Sequence, residues 1–502
     1  MTTLDRRSFL GRGALLAGGG LLSATALERL TARSAHAQSR PKRKGGADGE
    51  GYGRLQRVRD QRGREILALP AGFSYVTFGD IGSTMSDGNP TPLALDGMAA
   101  FPGPDGAVRL IRNHEDRNRP GAGSVRGDAS KRYDPQGGGG TTTLDYDPAS
   151  RQLVRDFISL NGTIVNCAGG YGLGTRSWIT AEETIAGPGS ALPEFRFPKR
   201  HGYCFEVPLE RGPNSLEVAQ PIKAMGRFAH EALATDQRTG IVYLTEDAGS
   251  GRGSGFYRFL PRDPRNLLAG GKLEMLAIRG RPRYDAREDQ RPNRRLPVTW
   301  VEIPEVDPEY RNEDDPRGVF QQGFRRGGTM FNRLEGCWYD EGSVFFVSTS
   351  GGDEKNGDVN EDGYREGYGQ VWEYRPRGNS GGQLSLVYES PGGEELDSPD
   401  NLTVTPRGGL VLCEDDASSA DEDRHPLAPG IENVNRLIGL SPEGDAFELA
   451  VNILNDSEFA GACYSPDGAT LFVNVFGESE TTPNGNAGMT CAITGPWQEG
   501  PL

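Results

Sequence analysis

The sequence predicts an all-β protein, a β-propeller of six blades with long inter-strand loops. Three observations lead there. Gly (72) and Pro (34) are abundant in 502 residues, and long amphipathic helical windows are scarce, which is the profile of many short strands joined by turns. A short apolar run that rises from a Gly-containing turn and ends in polar or acidic residues returns six times. Each run is almost continuously apolar, as expected of a strand buried on both faces between neighbouring sheets.

The chain begins with an address. Arg6-Arg7-Ser8-Phe9-Leu10 is a twin-arginine pair, the stretch from Gly13 to about Leu27 is soft and apolar, and Ala35-His36-Ala37 supplies a small-x-small cleavage pattern. Residues 1–37 therefore read as an export signal, with the twin-arginine translocase as a transient partner and the periplasm or the exterior as destination. The apolar run is too short and Gly-rich for a membrane span, so no stable membrane anchor is expected. Residues 38–64 are basic and Gly-rich and read as a flexible tether. Residues 65–502 read as a single propeller domain.

Within it, Ala107–Arg112 runs into Asn113-His114-Glu115, and Ser177–Ala181 into Glu182-Glu183. Ile241–Thr245 runs into Glu246-Asp247, and Ser343–Ser348 into Thr349-Ser350. Gly409–Cys413 runs into Glu414-Asp415, and Thr470–Val473 into Asn474. The longest gap, between Asp247 and Thr349, carries an Arg- and Pro-rich insertion near 279–326.

The net charge is −15. The signal holds a surplus of positive residues, so the mature chain is more acidic still. Such a balance repels the phosphate backbone and excludes nucleic acid as a partner. None of the six cysteines forms a C-x-x-C pair, which argues against a zinc ribbon. The mature protein is expected to act as a monomer.

In a propeller, acids at equivalent strand ends converge on the central channel, where they repel unless cations sit between them. Calcium takes such oxygen donors. The candidates after the strands are Glu115, Glu182, Glu183, Glu246, Asp247, Glu414 and Asp415; those before the strands are Glu231, Glu335, Asp400 and Asn401. Cys167, in the turn Asn166-Cys167-Ala168-Gly169-Gly170, offers a softer thiolate suited to iron, zinc or copper. A further acidic loop, Asp358-Val359-Asn360-Glu361-Asp362-Gly363, matches the start of an EF-hand loop but has Gly369 where the twelfth-position Glu belongs. Histidine is scarce and no Gly-x-Ser-x-Gly elbow is present, which disfavours a His-rich zinc centre and a serine nucleophile.

The ordered set of short motifs resembles the PhoX-type alkaline phosphatases. It includes Leu69-Pro70-Ala71-Gly72-Phe73, Asp96-Gly97-Met98, Arg112-Asn113-His114-Glu115, Asn166-Cys167-Ala168-Gly169-Gly170 and Phe228-Ala229-His230-Glu231-Ala232. It continues through Arg333-Leu334-Glu335-Gly336-Cys337-Trp338, Ser398-Pro399-Asp400-Asn401 and Glu458-Phe459-Ala460-Gly461. The resemblance implies a metal-dependent phosphatase hydrolysing a small phosphate monoester. It implies calcium ions with a pair of Fe3+ ions, and a cysteine, here Cys167, among the iron ligands. The other ions would fall to the carboxylates named above, and Arg112 or Arg227, each beside a candidate ligand, would clamp a phosphate oxygen or serve in a structural ion pair. Two other functions fit the residues alone: a calcium-stabilised propeller that binds without catalysing, and a calcium-dependent lactonase-like hydrolase.

Overall fold

The computed structural model describes residues 51–249, 252–312, 314–354, 357, 359, 363–416, 424–477 and 486–502. The export signal and most of the EF-hand-like loop lie outside the described residues. Each of the six apolar runs is the second strand of an antiparallel blade. Blade one is Leu95–Pro102, Val108–His114, Gly139–Asp147 and Gln152–Thr163. Blade two is the three strands Asn166–Gly172, Ser177–Glu182 and Cys204–Pro208. Blade three is His230–Thr235, Val242–Glu246, Phe256–Pro261 and Gly271–Ile278. Blade four is Leu334–Asp340, Ser343–Ser348, Gln370–Arg377 and Gly381–Glu389. Blade five contains Pro399–Val404, Leu410–Glu414, Arg436–Leu440 and Ala446–Asn452, and blade six Phe459–Tyr464, Thr470–Val475 and Met489–Thr494.

The first strands of the blades touch in cyclic order and the sixth returns to the first, which closes the ring around a channel. The ring is latched by the two ends of the described chain. Ser74–Phe78 completes blade six by pairing with Met489–Thr494. Each blade-to-blade seam has its own apolar core. Blades one and two meet through Phe101, Ile111, Trp178 and Phe205, and blades three and four through Tyr243, Phe256, Val344 and Trp372. This explains the continuously apolar second strands: both faces are buried, and burial of apolar surface is what holds neighbouring blades together.

One expectation changes. The second half of the tether is built into the fold: Leu55–Arg59 pairs with Glu65–Pro70, which itself extends blade five through Ala446–Asn452. Leu55 and Val58 supply the apolar contacts, and the Tyr52 ring packs edge-on against Phe73 and Trp497. The Arg- and Pro-rich insertion is likewise partly ordered as a strand, Leu296–Glu302. It pairs with Gly271–Ile278 on one side and Gly381–Glu389 on the other, joining blades three and four into one nine-stranded sheet. Among the described residues no helix is long and apolar enough to cross a membrane. The six cysteines are buried and unpaired.

Candidate metal centre

One local device repeats in all six blades. The first strand of each carries a β-bulge just after its start, at Leu95/Met98, Asn166/Gly169, His230/Leu233, Leu334/Cys337, Pro399/Leu402 and Ala460/Cys463. Two residues there oppose one on the partner strand, which re-aims a side chain that a regular pleat would place elsewhere. The first bulged residue is Asp96, Cys167, Glu231, Glu335, Asp400 and Gly461 in turn. In four blades the residue before the strand, Ala94, Val165, Arg333 or Ser398, has a left-handed φ of 41° to 54°. A β-branched Val in that region is strained, and such strain gathers at functional sites.

The second strands decide which of two adjacent acids faces the channel. The last paired residue turns into the blade and finds protein partners. His114 lies 2.9 Å from the Leu93 carbonyl and 2.9 Å from the Thr142 hydroxyl. Glu182 accepts bonds from His201 Nδ1 at 2.6 Å and the amides of Gly202 and Ile164 at 2.9 and 3.1 Å. Glu246 accepts from the Tyr257 hydroxyl and the Gly255 amide. Glu414 is gripped by Arg436 at 2.7 and 2.8 Å and by the Asp397 amide. The next residue along, Glu115, Glu183, Asp247 or Asp415, has the opposite sense, as side-chain alternation along a strand requires.

The result is a continuous run of donors. Asp96, Glu115 and Cys167 have ligand atoms within 4.8 Å of one another, and so do Cys167, Glu183 and Glu231. The same holds for Glu231, Glu335 and Asp400, and for Asp400, Asp415 and Glu458. Shared members link the four groups into one centre that draws on every blade. Of the expected ligands, Glu115, Cys167, Glu183, Glu231, Glu335, Asp400 and Asp415 are brought together. Glu182, Glu246 and Glu414 are not, because of the alternation above. Asp247 stands beside the centre, bound to Arg333 at 3.1 Å. Asn401 braces it: its amide donates to Asp400 at 2.8 Å and its oxygen accepts from the Gly461 amide at 2.8 Å. Asp96 and Glu458 were missed, although both stand in motifs that carry the family resemblance and both precede an apolar run, as Glu231, Glu335 and Asp400 do.

The charge state fits cations. Burial, then the neighbouring acids, push Glu231, Asp400 and Glu458 well above the ordinary carboxyl range. Burial raises Asp96 to about 7. The Cys167 thiol is driven up by burial and then by Asp96 and Glu231. Glu231 is fully buried, yet neither of its oxygens has a hydrogen-bond partner; Asp96 Oδ1 is in the same position. Buried polar atoms left without partners call for an explanation, and a bound ion supplies one. Oxygen donors in this number suit a hard divalent ion, and the thiolate at one end suits a softer metal.

Two guanidiniums stand over the acids. Arg117 bridges Glu115 and Glu183, the latter at 2.6 Å, with 57% of its side chain exposed. Arg333 bridges Asp247 and Glu335, both at 3.1 Å, with 29% exposed. Arg112 and Arg227, the expected phosphate clamps, are placed differently. Arg112 is fully buried, with Nη1 donating to Thr490 Oγ1 at 2.8 Å. Arg227 is buried and spends its donors on the carbonyls of Ile185, His201 and Pro308. Neither is available to a substrate.

The chain was compared with known proteins. The family model described as alkaline phosphatase PhoX matches residues 51–154 and 146–477. No curated protein sequence matches. Among solved structures, PhoX of Pseudomonas fluorescens in complex with vanadate, a transition state analogue, superposes with a TM-score of 0.63 at 18% identity, covering 90% of this chain and 98% of that one. A gluconolactonase of Xanthomonas campestris matches at a TM-score of 0.35 and 10% identity, over 90% and 99% of the two chains.

Proposed function

The chain belongs to the alkaline phosphatase PhoX family, metal-dependent phosphatases, and from that premise we propose that it hydrolyses small phosphate monoesters outside the cytoplasm at a centre of calcium and iron ions. The observation that carries the reading is the linked run of nine donors, Asp96, Glu115, Cys167, Glu183, Glu231, Glu335, Asp400, Asp415 and Glu458. Cys167 with Asp96, Glu115, Glu183 and Glu231 would hold the iron, because a thiolate favours the softer metal. Asp400, Asp415, Glu458 and Glu335 would hold calcium. Such ions, when bound, neutralise phosphate charge, polarise its oxygens and activate an oxygen nucleophile.

The protein's own groups do the rest. Arg117 and Arg333 take the role expected of Arg112 and Arg227. Each planar fork already pairs with carboxylates at the rim, and the same geometry pairs with phosphate oxygens. The local charge also explains why a bridging guanidinium is tolerated here: Asp247 and Glu335 hold Arg333 well above its ordinary range in spite of burial, so it stays cationic. Export by the twin-arginine route rests on Arg6-Arg7 and Ala35-His36-Ala37. It suits a protein that folds around its metals before crossing the membrane.

The test is an assay of the purified, metal-replete protein on 4-nitrophenyl phosphate and on a simple lactone, with metal content measured by mass spectrometry. Turnover of the phosphate ester that tracks calcium and iron content is expected. Turnover of the lactone alone would replace this reading with the lactonase one, and turnover of neither would leave a calcium-stabilised binding propeller.

A further inference from the structure

The sixth blade departs from the other five. Its first bulged residue is Gly461, where they carry Asp96, Cys167, Glu231, Glu335 and Asp400. Gly461 has a φ of 63°, and a Cβ there would come within 2.6 Å of the Asp96 carbonyl oxygen and 2.9 Å of Asn474 Nδ2. The glycine leaves room for a bond between those two groups: Asn474, near the end of the second strand of blade six, donates to the Asp96 carbonyl at 2.6 Å. Asp96 and Gly97 form the bulge of blade one and fall between the ladder pairs Leu95–His114 and Met98–Arg112. Gly97 adds freedom, since glycine has the least restricted backbone. A larger residue does not fit, because its Cβ would run into Ala168 and lie 2.8 Å from the Cys167 carbonyl. The peptide that follows Asp96 is thus the least constrained of its strand, and its orientation sets where the Asp96 carboxyl points.

The Asn474 amide is held in one orientation. A guanidinium only donates hydrogen bonds. Arg112 Nη1 donates to Thr490 Oγ1 at 2.8 Å, so the hydroxyl spends its single proton on its other neighbour, Asn474 Oδ1, at 2.7 Å. Asn474 therefore turns its oxygen to Thr490 and its NH2 group to Asp96. All four residues are at most 1% exposed, and hydrogen bonds are electrostatically stronger in such surroundings than in water. Among the described residues Arg112 meets no carboxylate at ion-pair distance, and its Nε and Nη2 have no hydrogen-bond partner. A guanidinium buried without an ion pair is costly, and the chain that ends on Asp96 accounts for its place. The Cys167 carbonyl is held in a similar way, by Asn113 Nδ2 at 2.9 Å.

We propose that Asn474, oriented by Thr490 and Arg112, is a positioning residue of the metal centre: it fixes the Asp96 peptide so that the carboxyl reaches the ion shared with Glu115 and Cys167. The inference rests on the reading of that group as a metal site, and it adds the residues that hold the group in shape.

Co2+ is the probe, because its bond to a thiolate has a charge-transfer absorption that reports Cys167 directly and needs no substrate. Full-length protein is stripped by a chelator and titrated with Co2+ in the presence of calcium. Asn474→Leu removes both polar contacts at nearly constant size, and Thr490→Val exchanges the hydroxyl for a methyl. Each should weaken Co2+ binding by roughly ten-fold or more, the usual effect of losing a group that orients a metal ligand. Thr490→Ser should restore wild-type affinity. In the protein as purified, Asn474→Leu and Thr490→Val should release iron at lower chelator concentration than wild type and retain calcium, with a lower kcat and an unchanged KM for 4-nitrophenyl phosphate. Wild-type Co2+ affinity in both variants would overturn the proposal. So would loss of iron and calcium in equal proportion, which marks a general loosening of the fold. Because Co2+ affinity is read without substrate, failure of the phosphatase reading would show separately, as absent turnover in metal-replete wild type.

Discussion

Glu231→Gln keeps the shape of the side chain and removes one charge from the middle of the donor run, which makes it the sharpest probe of the centre. Glu231 belongs to two donor groups, with Cys167 and Glu183 on one side and Glu335 and Asp400 on the other. Two ionised groups 4.8 Å apart repel by about 3.5 kcal/mol at an effective dielectric constant near 20. Once metal is stripped by a chelator, wild type carries that repulsion or the cost of keeping the carboxyl protonated. The amide carries neither, although its polar atoms stay short of partners at a cost of about 1–3 kcal/mol. The stripped variant should therefore match or exceed stripped wild type, by up to about 2 kcal/mol. With iron and calcium restored the order reverses, since each ten-fold loss of metal affinity removes about 1.4 kcal/mol of linked stability. Calorimetry with and without chelator, alongside metal analysis of the same samples, reads both arms. A variant that retains wild-type metal content and the wild-type gap between stripped and loaded melting temperatures would refute the assignment of Glu231 as a ligand.

Cys167→Ser should lose the bound transition metal and the phosphatase activity while calcium content and the fold stay close to wild type; full iron content in the variant would remove Cys167 from the centre. Stability of the chelated protein should fall as pH rises, because Asp96, Glu231, Asp400 and Glu458 have folded pKa values raised above their unfolded ones. Their stabilising share is complete below about pH 4 and is lost as each group ionises, for Asp96 on passing about 7. Metal-loaded protein should lack this decline, as checked by denaturant melts across the same range. Arg333→Ala should raise KM for 4-nitrophenyl phosphate by roughly ten-fold or more with metal content unchanged, whereas an unchanged KM would exclude it from substrate binding. Arg227→Ala should lower stability by about 3 kcal/mol or more, as expected when buried carbonyl acceptors lose their donor, and should leave KM unaltered in the folded fraction.

Much of this protein is written along its chain. Six apolar runs of nearly constant character set the number of blades, because a strand buried on both faces cannot afford polar alternation. Acids at the ends of those runs announced a convergent, cation-hungry channel, and Cys167 in its Gly-rich turn announced a softer ligand. The sequence could not choose between neighbours such as Glu182 and Glu183, or Glu414 and Asp415. Both members of each pair are acidic, and only the pairing register shows which one the pleat turns to the channel and which it turns to His201 or Arg436. The bulges at Asp96, Glu231, Glu335 and Asp400 had no local signature either, since a bulge is a property of two strands and not of one. Arg112 and Arg227 looked like phosphate clamps because they adjoin ligands in sequence; the fold buries both and brings Arg117 and Arg333 to the rim instead. Apolar periodicity is a local property and is read directly from residues in order, whereas the direction of a side chain at a strand end depends on hydrogen bonds made with residues far away in the chain.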